Sequence, residues 1–134
     1  MTKSRSSQKI STDQAPLAIG PYSQAISAGE FVFVSGQLPL DPATSQLIEK
    51  DIEAMTHRVI DNLEAILTAA GLSLEHVVKT EVYLKDLSDF PAMNRAYGSR
   101  FNHGIAPARQ TLQVAKLPMD ARIERNCLPL VLPL

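Results

Sequence analysis

The alternation of strand-like and helix-like segments along the chain is the feature that most constrains its fold. Residues 51–70 carry apolar side chains at helical spacing, and Gly71 then supplies a helix stop. Ser88 is a suitable N-cap for a second helix, with Pro91 tolerated in its first turn. The predicted apolar stripe of this second helix comprises Phe90, Met93, Tyr97 and Phe101. Strand patterns flank both helices, and the order β-β-α-β-α-β-β, with an extra short strand near residues 46–48, predicts a two-layer α+β domain. In it, two helices cover one face of a mixed or antiparallel sheet.

Particular strand segments predict pairing and packing. Residues 21–27 and 31–35 flank a turn at residues 28–30, which predicts a hairpin. Residues 31–34 have no polar face, so we expect both sides of that strand to be covered, the side without helices by another subunit. The apolar residues 128–134 predict either a last edge strand or part of an interface. In the strand after the first helix, one side is predicted to consist of Val78, Thr80, Val82 and Leu84.

Composition and charge bound the classes of function. The 134 residues suffice for one domain, which we divide into a flexible tail at residues 1–14 and a single domain at residues 15–134. The net charge of −1, without a basic run and without Trp, argues against nucleic acid as the main ligand. No apolar run is long enough for a membrane span or a secretory signal, so we expect a cytoplasmic protein with no membrane partner. The basic, Ser-containing start also has features of an organelle transit peptide, although a frayed tail explains it better.

Metal, disulfide and nucleophilic chemistry find no support in the sequence. Cys127 is alone, which excludes an intramolecular disulfide and a cysteine-based zinc site, and strand alternation predicts that it is buried and inert. His57, His76 and His103 lack partners at metal-ligand spacing, and His57 fits a charged helix surface. No nucleophile elbow and no glycine-rich phosphate loop is present. We therefore expect neither a metal nor a cofactor.

Arg109 and Glu124 lie on two consecutive strand-like segments joined by a short loop. If these segments pair as an antiparallel hairpin, Arg109, Thr111, Glu124 and Asn126 share one face. A cation and a carboxylate at about 7–8 Å, the diagonal spacing in a ladder, suit the binding of a small carboxylate and the positioning of a water molecule. An exposed salt bridge, which contributes little to stability, fits the same spacing and is the simpler interpretation of the spacing alone.

Four further residues are candidates for a pocket, although each has a structural explanation. Tyr22 follows a Gly-Pro bend and fits a side chain packed with its hydroxyl at the surface. Ser35 and Gly36 end an apolar strand, where a turn explains both residues. Asn94 lies in the second predicted helix, where polar positions are mostly solvated.

Taken together, these segments resemble the Rid (YjgF) family of reactive-intermediate enamine/imine deaminases over residues 16–127. The matching motifs are IGPYSQAI at residues 19–26, FVSGQLP at 33–39, VYLKDL at 82–87, PAR at 107–109, LP at 117–118 and IE at 123–124. The resemblance implies a chorismate-mutase-like α+β fold and a homotrimer with sites in the clefts between subunits. It also implies a hydrolase that acts on C=N bonds without a cofactor.

The activity implied by the resemblance is that of a 2-iminobutanoate/2-iminopropanoate deaminase, which hydrolyses reactive imines or enamines to 2-keto acids and ammonia. Arg109 matches the arginine that binds the substrate carboxylate, a task suited to a bidentate guanidinium. Glu124 matches the glutamate that holds or activates the attacking water. The positions that match the rest of the pocket are Tyr22, Ser35 and Asn94, the backbone at Thr111, and Gly36, which would allow a close backbone approach.

The sequence also departs from the family pattern and leaves other functions open. Arg125 occupies a position that we expect to be apolar and buried, and Thr111 stands where many members carry Cys. One alternative is a non-catalytic protein that binds 2-keto acids or related metabolites in the same pocket. Another is an endoribonuclease or translation inhibitor, which the net charge of −1 without a basic cluster disfavours.

Overall fold

A computed structural model describes residues 7–102 and 104–129, the last four of them as backbone only. The strands in this part of the chain are β1 (Gln8–Ile10), β2 (Ala25–Ala28), β3 (Phe31–Gln37), β4 (Leu40–Asp41), β5 (Gln46–Leu47), β6 (Val77–Leu84), β7 (Ala108–Gln113) and β8 (Ile123–Pro129). The helices are α1 (Ile52–Ala69) and α2 (Phe90–Arg100), and short 3-10 turns occupy Leu74–His76, Leu87–Asp89 and Pro118–Asp120. The side chains of Asn126 and Cys127 are not described, so the face predicted for Asn126 and the burial predicted for Cys127 stay predictions.

Six of the strands form one mixed sheet in the order β1-β2-β3-β8-β6-β7, while β4 and β5 form a small separate ladder. All neighbours in the large sheet are antiparallel except β6 and β7, which are parallel because α2 makes the crossover between them. Both helices pack on one face of the sheet around a common core. The predicted two-layer α+β architecture, the first hairpin and the extra short strand are confirmed.

The predicted hairpin between the strands of Arg109 and Glu124 is wrong. β7 and β8 both pair with β6, on its opposite edges, so that β6 lies between them. The end of β6 is bound from both sides: Val114 N donates to Leu84 O, and Lys85 N donates to Arg122 O, each at 3.0 Å. The loop after β7 therefore crosses the end of β6 rather than turning back on its own strand.

α1 closely follows the predicted helix. The Asp51 side chain accepts a hydrogen bond from Ala54 N at 2.8 Å, which caps the first turn, and Gly71 follows the last turn with a φ of +76°. Its fully buried apolar stripe comprises Val59, Ile60, Leu63, Ile66 and Leu67. Asn62, also buried, donates from Nδ2 to the carbonyl oxygens of Leu38 and Leu40 at 3.2 and 3.0 Å. The helix thereby fixes the segment that leaves β3.

The start of α2 differs from the prediction in one respect. Ser88 is not the N-cap, because it lies in the 3-10 turn that precedes the helix, where its N–H donates to the Asp86 carboxylate at 2.9 Å. Pro91 lies in the first turn as predicted. The predicted stripe is confirmed, since Met93 and Tyr97 are buried and Phe90 and Phe101 pack against the core.

The two faces of the sheet differ in cover. Thr80, Val82 and Leu84 are buried on the helix side, as predicted, but Val78 is 41% exposed because the register between β6 and β8 shifts between residues 77 and 79. On the other side, called here the open face, Phe31 and Phe33 remain 38% and 48% exposed within one chain. Cover of this face by another subunit stays a prediction.

The ends of the described chain join the sheet. β1 lies within the stretch assigned to the tail, and Thr12 N donates to Gln24 Oε1 at 2.7 Å, while the boundary at residue 14 stays a prediction. Residues 128 and 129 lie in β8, an inner strand, and the rest of the 128–134 segment is outside the described residues. Among the described helices none combines the length and the apolarity that a membrane crossing requires.

Candidate active site

Arg109 lies on the edge strand β7 and faces the helices. It is paired with the buried Thr80 of β6, which places its side chain on the helix side of the sheet. Its Nη1 donates to Asn94 Oδ1 of α2 at 2.6 Å. Its Cζ lies 4.7 Å from the ring centroid of Tyr97 and 5.4 Å from that of Phe90. The structure thus brings Asn94 and Arg109 together. The guanidinium packs on the rings of Phe90 and Tyr97 and remains exposed to solvent.

The helical spacing of α2 explains this arrangement. Phe90, Asn94 and Tyr97 are separated by four and three residues, so they form one stripe along the helix. Tyr97 is additionally fixed by a 2.9 Å hydrogen bond between its hydroxyl and Thr80 Oγ1. Phe90 and Tyr97 were predicted only as core residues, although their spacing from Asn94 indicates that all three share a face. We call Arg109, Asn94, Phe90 and Tyr97 the arginine cluster.

Glu124 lies on β8 and points to the open face. It is paired with Tyr83 of β6, whereas its neighbour Arg125 is paired with the buried Val82 and points into the core. Burial raises the pKa of the Glu124 carboxyl above its usual value. This carboxylate therefore titrates at a higher pH than an exposed glutamate does.

Gly36 of β3 makes room for the Glu124 carboxylate. A Cβ atom at position 36 would overlap Glu124 Oε2, so glycine is required here for space and not for an unusual φ. The register between β3 and β8 shifts between residues 34 and 37, which places Ser35 and Gly36 together at an irregularity of the ladder. Ser35 Oγ donates to Ser23 O at 2.5 Å. We call Ser35, Gly36 and Glu124 the glutamate cluster.

Tyr22 lies in the loop that precedes β2 and is 52% exposed. Its N–H donates to Gly20 O at 2.9 Å, and its hydroxyl accepts from Ile19 N at 3.4 Å, so the ring folds over its own loop. A shallow cavity of about 280 Å³ lies beside β2 and β3. It is lined by Ser23, Ile26, Phe33, Val34 and Ser35. The cavity borders the glutamate cluster through Ser35.

The arginine cluster and the glutamate cluster do not meet within one chain. The prediction that Arg109 and Glu124 share a face is wrong, because the two side chains point to opposite sides of the sheet. Their strands are separated by β6 and their positions by three residues along it, so their Cα atoms are about 14 Å apart from strand spacing and rise. Thr111 is paired with Val82 and therefore lies on the side of Arg109.

The two described histidines, His57 and His76, join neither cluster. His57 Nδ1 lies 3.2 Å from Arg100 Nη1, and Arg100 also donates to Asp61 Oδ1 at 2.7 Å. His76 Nδ1 accepts from Ser73 N at 3.0 Å in a 3-10 turn. His103 is outside the described residues. Among the residues that are described, no three His, Cys, Asp or Glu side chains are grouped so that they could hold a metal ion.

Comparison with known proteins gives these residues a context. A family model described as Endoribonuclease L-PSP matches residues 12–130. A RutC family protein of Pyrococcus abyssi is 50% identical over 119 residues, which cover 89% of this chain and 93% of that protein. A Salmonella typhimurium protein named 2-iminobutanoate/2-iminopropanoate deaminase is 44% identical over 120 residues, which cover 88% of this chain and 93% of that one.

Solved structures agree with the sequence comparison. The crystal structure of a Rid-family protein from Yersinia pestis superposes with a TM-score of 0.92 at 38% identity, covering 94% of this chain and all of that one. The helix-on-sheet arrangement agrees with that of such neighbours, so the expected chorismate-mutase-like α+β fold is confirmed. From its motifs, its matching relatives and its fold, this chain belongs to the Rid (YjgF) family.

Proposed function

We propose that this protein hydrolyses 2-imino acids, such as 2-iminobutanoate and 2-iminopropanoate, or their enamine tautomers, to 2-keto acids and ammonia. The observation that carries the proposal is the exposed Arg109 guanidinium, which one hydrogen bond to Asn94 and two aromatic rings hold at the edge of the sheet. The name of the Salmonella relative, at 44% identity, supports the same reaction.

Arg109 binds the substrate carboxylate in this proposal. Its bond to Asn94 uses Nη1 and leaves other donors of the planar fork for a bidentate contact, which a lysine ammonium does not provide. The rings of Phe90 and Tyr97 restrict the orientation of the guanidinium. A pre-oriented arginine loses less conformational freedom when the ligand binds.

Glu124 acts on the water molecule. The ionised carboxylate accepts a proton as the water oxygen attacks the carbon of the protonated C=N bond, which gives a carbinolamine. Glu124 then returns this proton to the amine nitrogen. The C–N bond breaks as the hydroxyl oxygen gives its proton to Glu124 and becomes the carbonyl, and ammonia and the 2-keto acid leave. The half-buried position raises the pKa of Glu124 towards the working pH, which suits a residue that both accepts and returns a proton.

The site requires more than one copy of the chain. A four-carbon imino acid spans only about 5 Å by covalent geometry, so it does not bridge Arg109 and Glu124 of the same chain. We therefore propose a homotrimer in which the β7 edge of one subunit approaches the open face of the next. The exposed Phe31, Phe33 and Leu112 on the open face support such a contact, because apolar patches of this kind mark interfaces.

The decisive experiment measures ammonia release from 2-iminobutanoate that a threonine dehydratase generates in the same cuvette. The protein should accelerate the release, and Arg109→Ala should lower kcat/KM by about 10²–10³-fold, as expected for loss of a charge-assisted bidentate contact. Arg95→Ala serves as a matched control, because Arg95 is exposed and pairs with Glu53 on the outer helices at 3.4 Å.

Three outcomes would contradict the proposal in different ways. Unchanged activity in Arg109→Ala would remove the role of Arg109. Thermal stabilisation by 2-ketobutanoate without any turnover would instead indicate a non-catalytic metabolite-binding protein. RNA cleavage that depends on Arg109 or Glu124, without imine turnover, would favour the endoribonuclease alternative.

A further inference from the structure

Arg125 is a cation at a position where the resemblance predicts an apolar residue. The position is buried as predicted, since Arg125 is 0% exposed and ranks among the largest fully buried side chains of the described residues. Its Cζ lies 4.2 Å from the ring centroid of Tyr97 and 4.5 Å from that of Phe101. The guanidinium therefore lies against Tyr97 of α2 and Phe101, which follows the helix, inside the core.

Tyr97 is the residue that links Arg125 to the arginine cluster. The same ring has Arg109 Cζ at 4.7 Å, stacks on Phe101 with centroids 4.7 Å apart, and is anchored through its hydroxyl to Thr80. One buried tyrosine thus contacts two guanidinium groups, one exposed and one enclosed.

We propose that Arg125 is a positioning residue for Arg109, the proposed carboxylate-binding group, and that it acts through Tyr97 and through its own charge. The proposal rests on the proposed function only in taking a small carboxylate as the ligand of Arg109. Arg125 itself does not touch that ligand, because it is enclosed on the inner side of the ring.

Two physical effects support this role. Contact with Arg125 and Phe101 fixes the Tyr97 ring, and the ring in turn limits where the Arg109 guanidinium lies. Because both Cζ atoms lie within 5 Å of one centroid, the two cations are no more than about 9 Å apart. A buried charge at that distance is little screened by salt. It strengthens the binding of an anion to Arg109 by about three- to tenfold in binding constant.

The kinetic consequence is specific. The substrate carboxylate carries the same charge before and during the reaction, so Arg125 contributes equally to the bound ground state and the transition state. Loss of the charge should therefore raise KM and leave kcat nearly unchanged. A role in packing alone would affect charged and uncharged ligands to the same extent.

The test compares Arg125→Met, which is similar in length and uncharged, with Arg125→Lys and with the exposed control Arg95→Met. We would measure KM and kcat for 2-iminobutanoate, and Kd for 2-ketobutanoate and for its uncharged amide by calorimetry. Arg125→Met should raise KM and the Kd of 2-ketobutanoate about three- to tenfold, with kcat within about twofold. Arg125→Lys should restore most of the anion affinity, and the amide should bind all variants equally.

Several results would overturn this role. One is an unchanged Kd for 2-ketobutanoate in Arg125→Met, and another is an equal loss of affinity for anion and amide. Arg125→Gln gives the same comparison if the Met variant does not fold. Wild-type protein that binds 2-ketobutanoate without turning over the imine would contradict the proposed deaminase activity, while the binding data still decide on Arg125. Absence of both binding and turnover in the wild type would overturn both proposals.

Discussion

The arginine cluster and the glutamate cluster differ in how much of their geometry a single chain supplies. Arg109 is held by a hydrogen bond and two rings from one helix, so its orientation is set within the chain. Glu124 is packed beside Gly36 on a face that no described element covers. If the proposed function holds, the carboxylate-binding arginine is already oriented in the isolated subunit, whereas the surroundings of Glu124 are completed only by assembly.

The largest expected effect is that of Glu124→Gln, which should change kcat but not the affinity for a carboxylate ligand. Glu124→Gln should lower kcat by about 10²–10⁴-fold, because a carboxamide does not accept the proton from water. The Kd of 2-ketobutanoate should stay within about twofold, since Arg109 is intact. Steady-state kinetics and calorimetry measure the two quantities. A near-normal kcat would mean that Glu124 does not take part in the chemistry.

Mixed assemblies test whether the two clusters meet across a subunit boundary. Under the proposed function, Arg109→Ala and Glu124→Gln should each be inactive when assembled alone. After the two variants are unfolded and refolded together in equal amounts, random cyclic trimers should regain about a quarter of wild-type activity, because about a quarter of the clefts combine an intact Arg109 with an intact Glu124. Separately refolded variants provide the control. No recovery in a confirmed mixed trimer would show that each site belongs to one subunit.

Gly36→Ala probes the space around the glutamate carboxylate. The added Cβ overlaps Glu124 Oε2, so the side chain must move, and we expect a loss of about 1–3 kcal/mol in the free energy of unfolding and a fall in kcat. Gly98→Ala on α2 is the matched control, because a Cβ there meets nothing within 4 Å and alanine favours a helix. Denaturant unfolding and kinetics of both variants check the expectation. Equal stability of the two would contradict the tight fit at Gly36.

The smallest expected effect concerns pH. Because burial raises the pKa of folded Glu124, folding favours its protonated form, and this contribution to stability is lost as pH rises through the folded-state pKa. Glu124→Gln should therefore melt at a slightly higher temperature than wild type at neutral pH, with the difference shrinking towards pH 4. The acidic limb of kcat/KM should lie above the ordinary glutamate pKa of 4.5. Thermal melts and rates across pH 4–8 measure both, and a limb at or below 4.5 would remove the burial argument.

Much of the candidate site follows from local sequence. The apolar spacing of residues 51–70 and Gly71 predicted α1 closely, since helix periodicity and stop signals depend only on nearby residues. The Phe90–Asn94–Tyr97 stripe is equally visible in the sequence, although we recognised only its apolar members. The prediction of Ser88 as the N-cap was wrong. Ser88 lies in a 3-10 turn, where its N–H donates to the Asp86 carboxylate, and the helix begins only at Phe90.

The order of the elements and the buried stripe of each helix follow from local patterns in the sequence, as do the motifs of the Rid family. The folded chain is needed to see that β7 and β8 lie on opposite edges of β6. Arg109 and Glu124 face opposite sides of the sheet because their partners on β6, Thr80 and Tyr83, are an odd number of residues apart. The physical reason is that periodicity is a property of neighbouring residues, whereas strand pairing is a long-range competition. Here the α2 crossover made β7 parallel to β6 and left the other edge of β6 to β8.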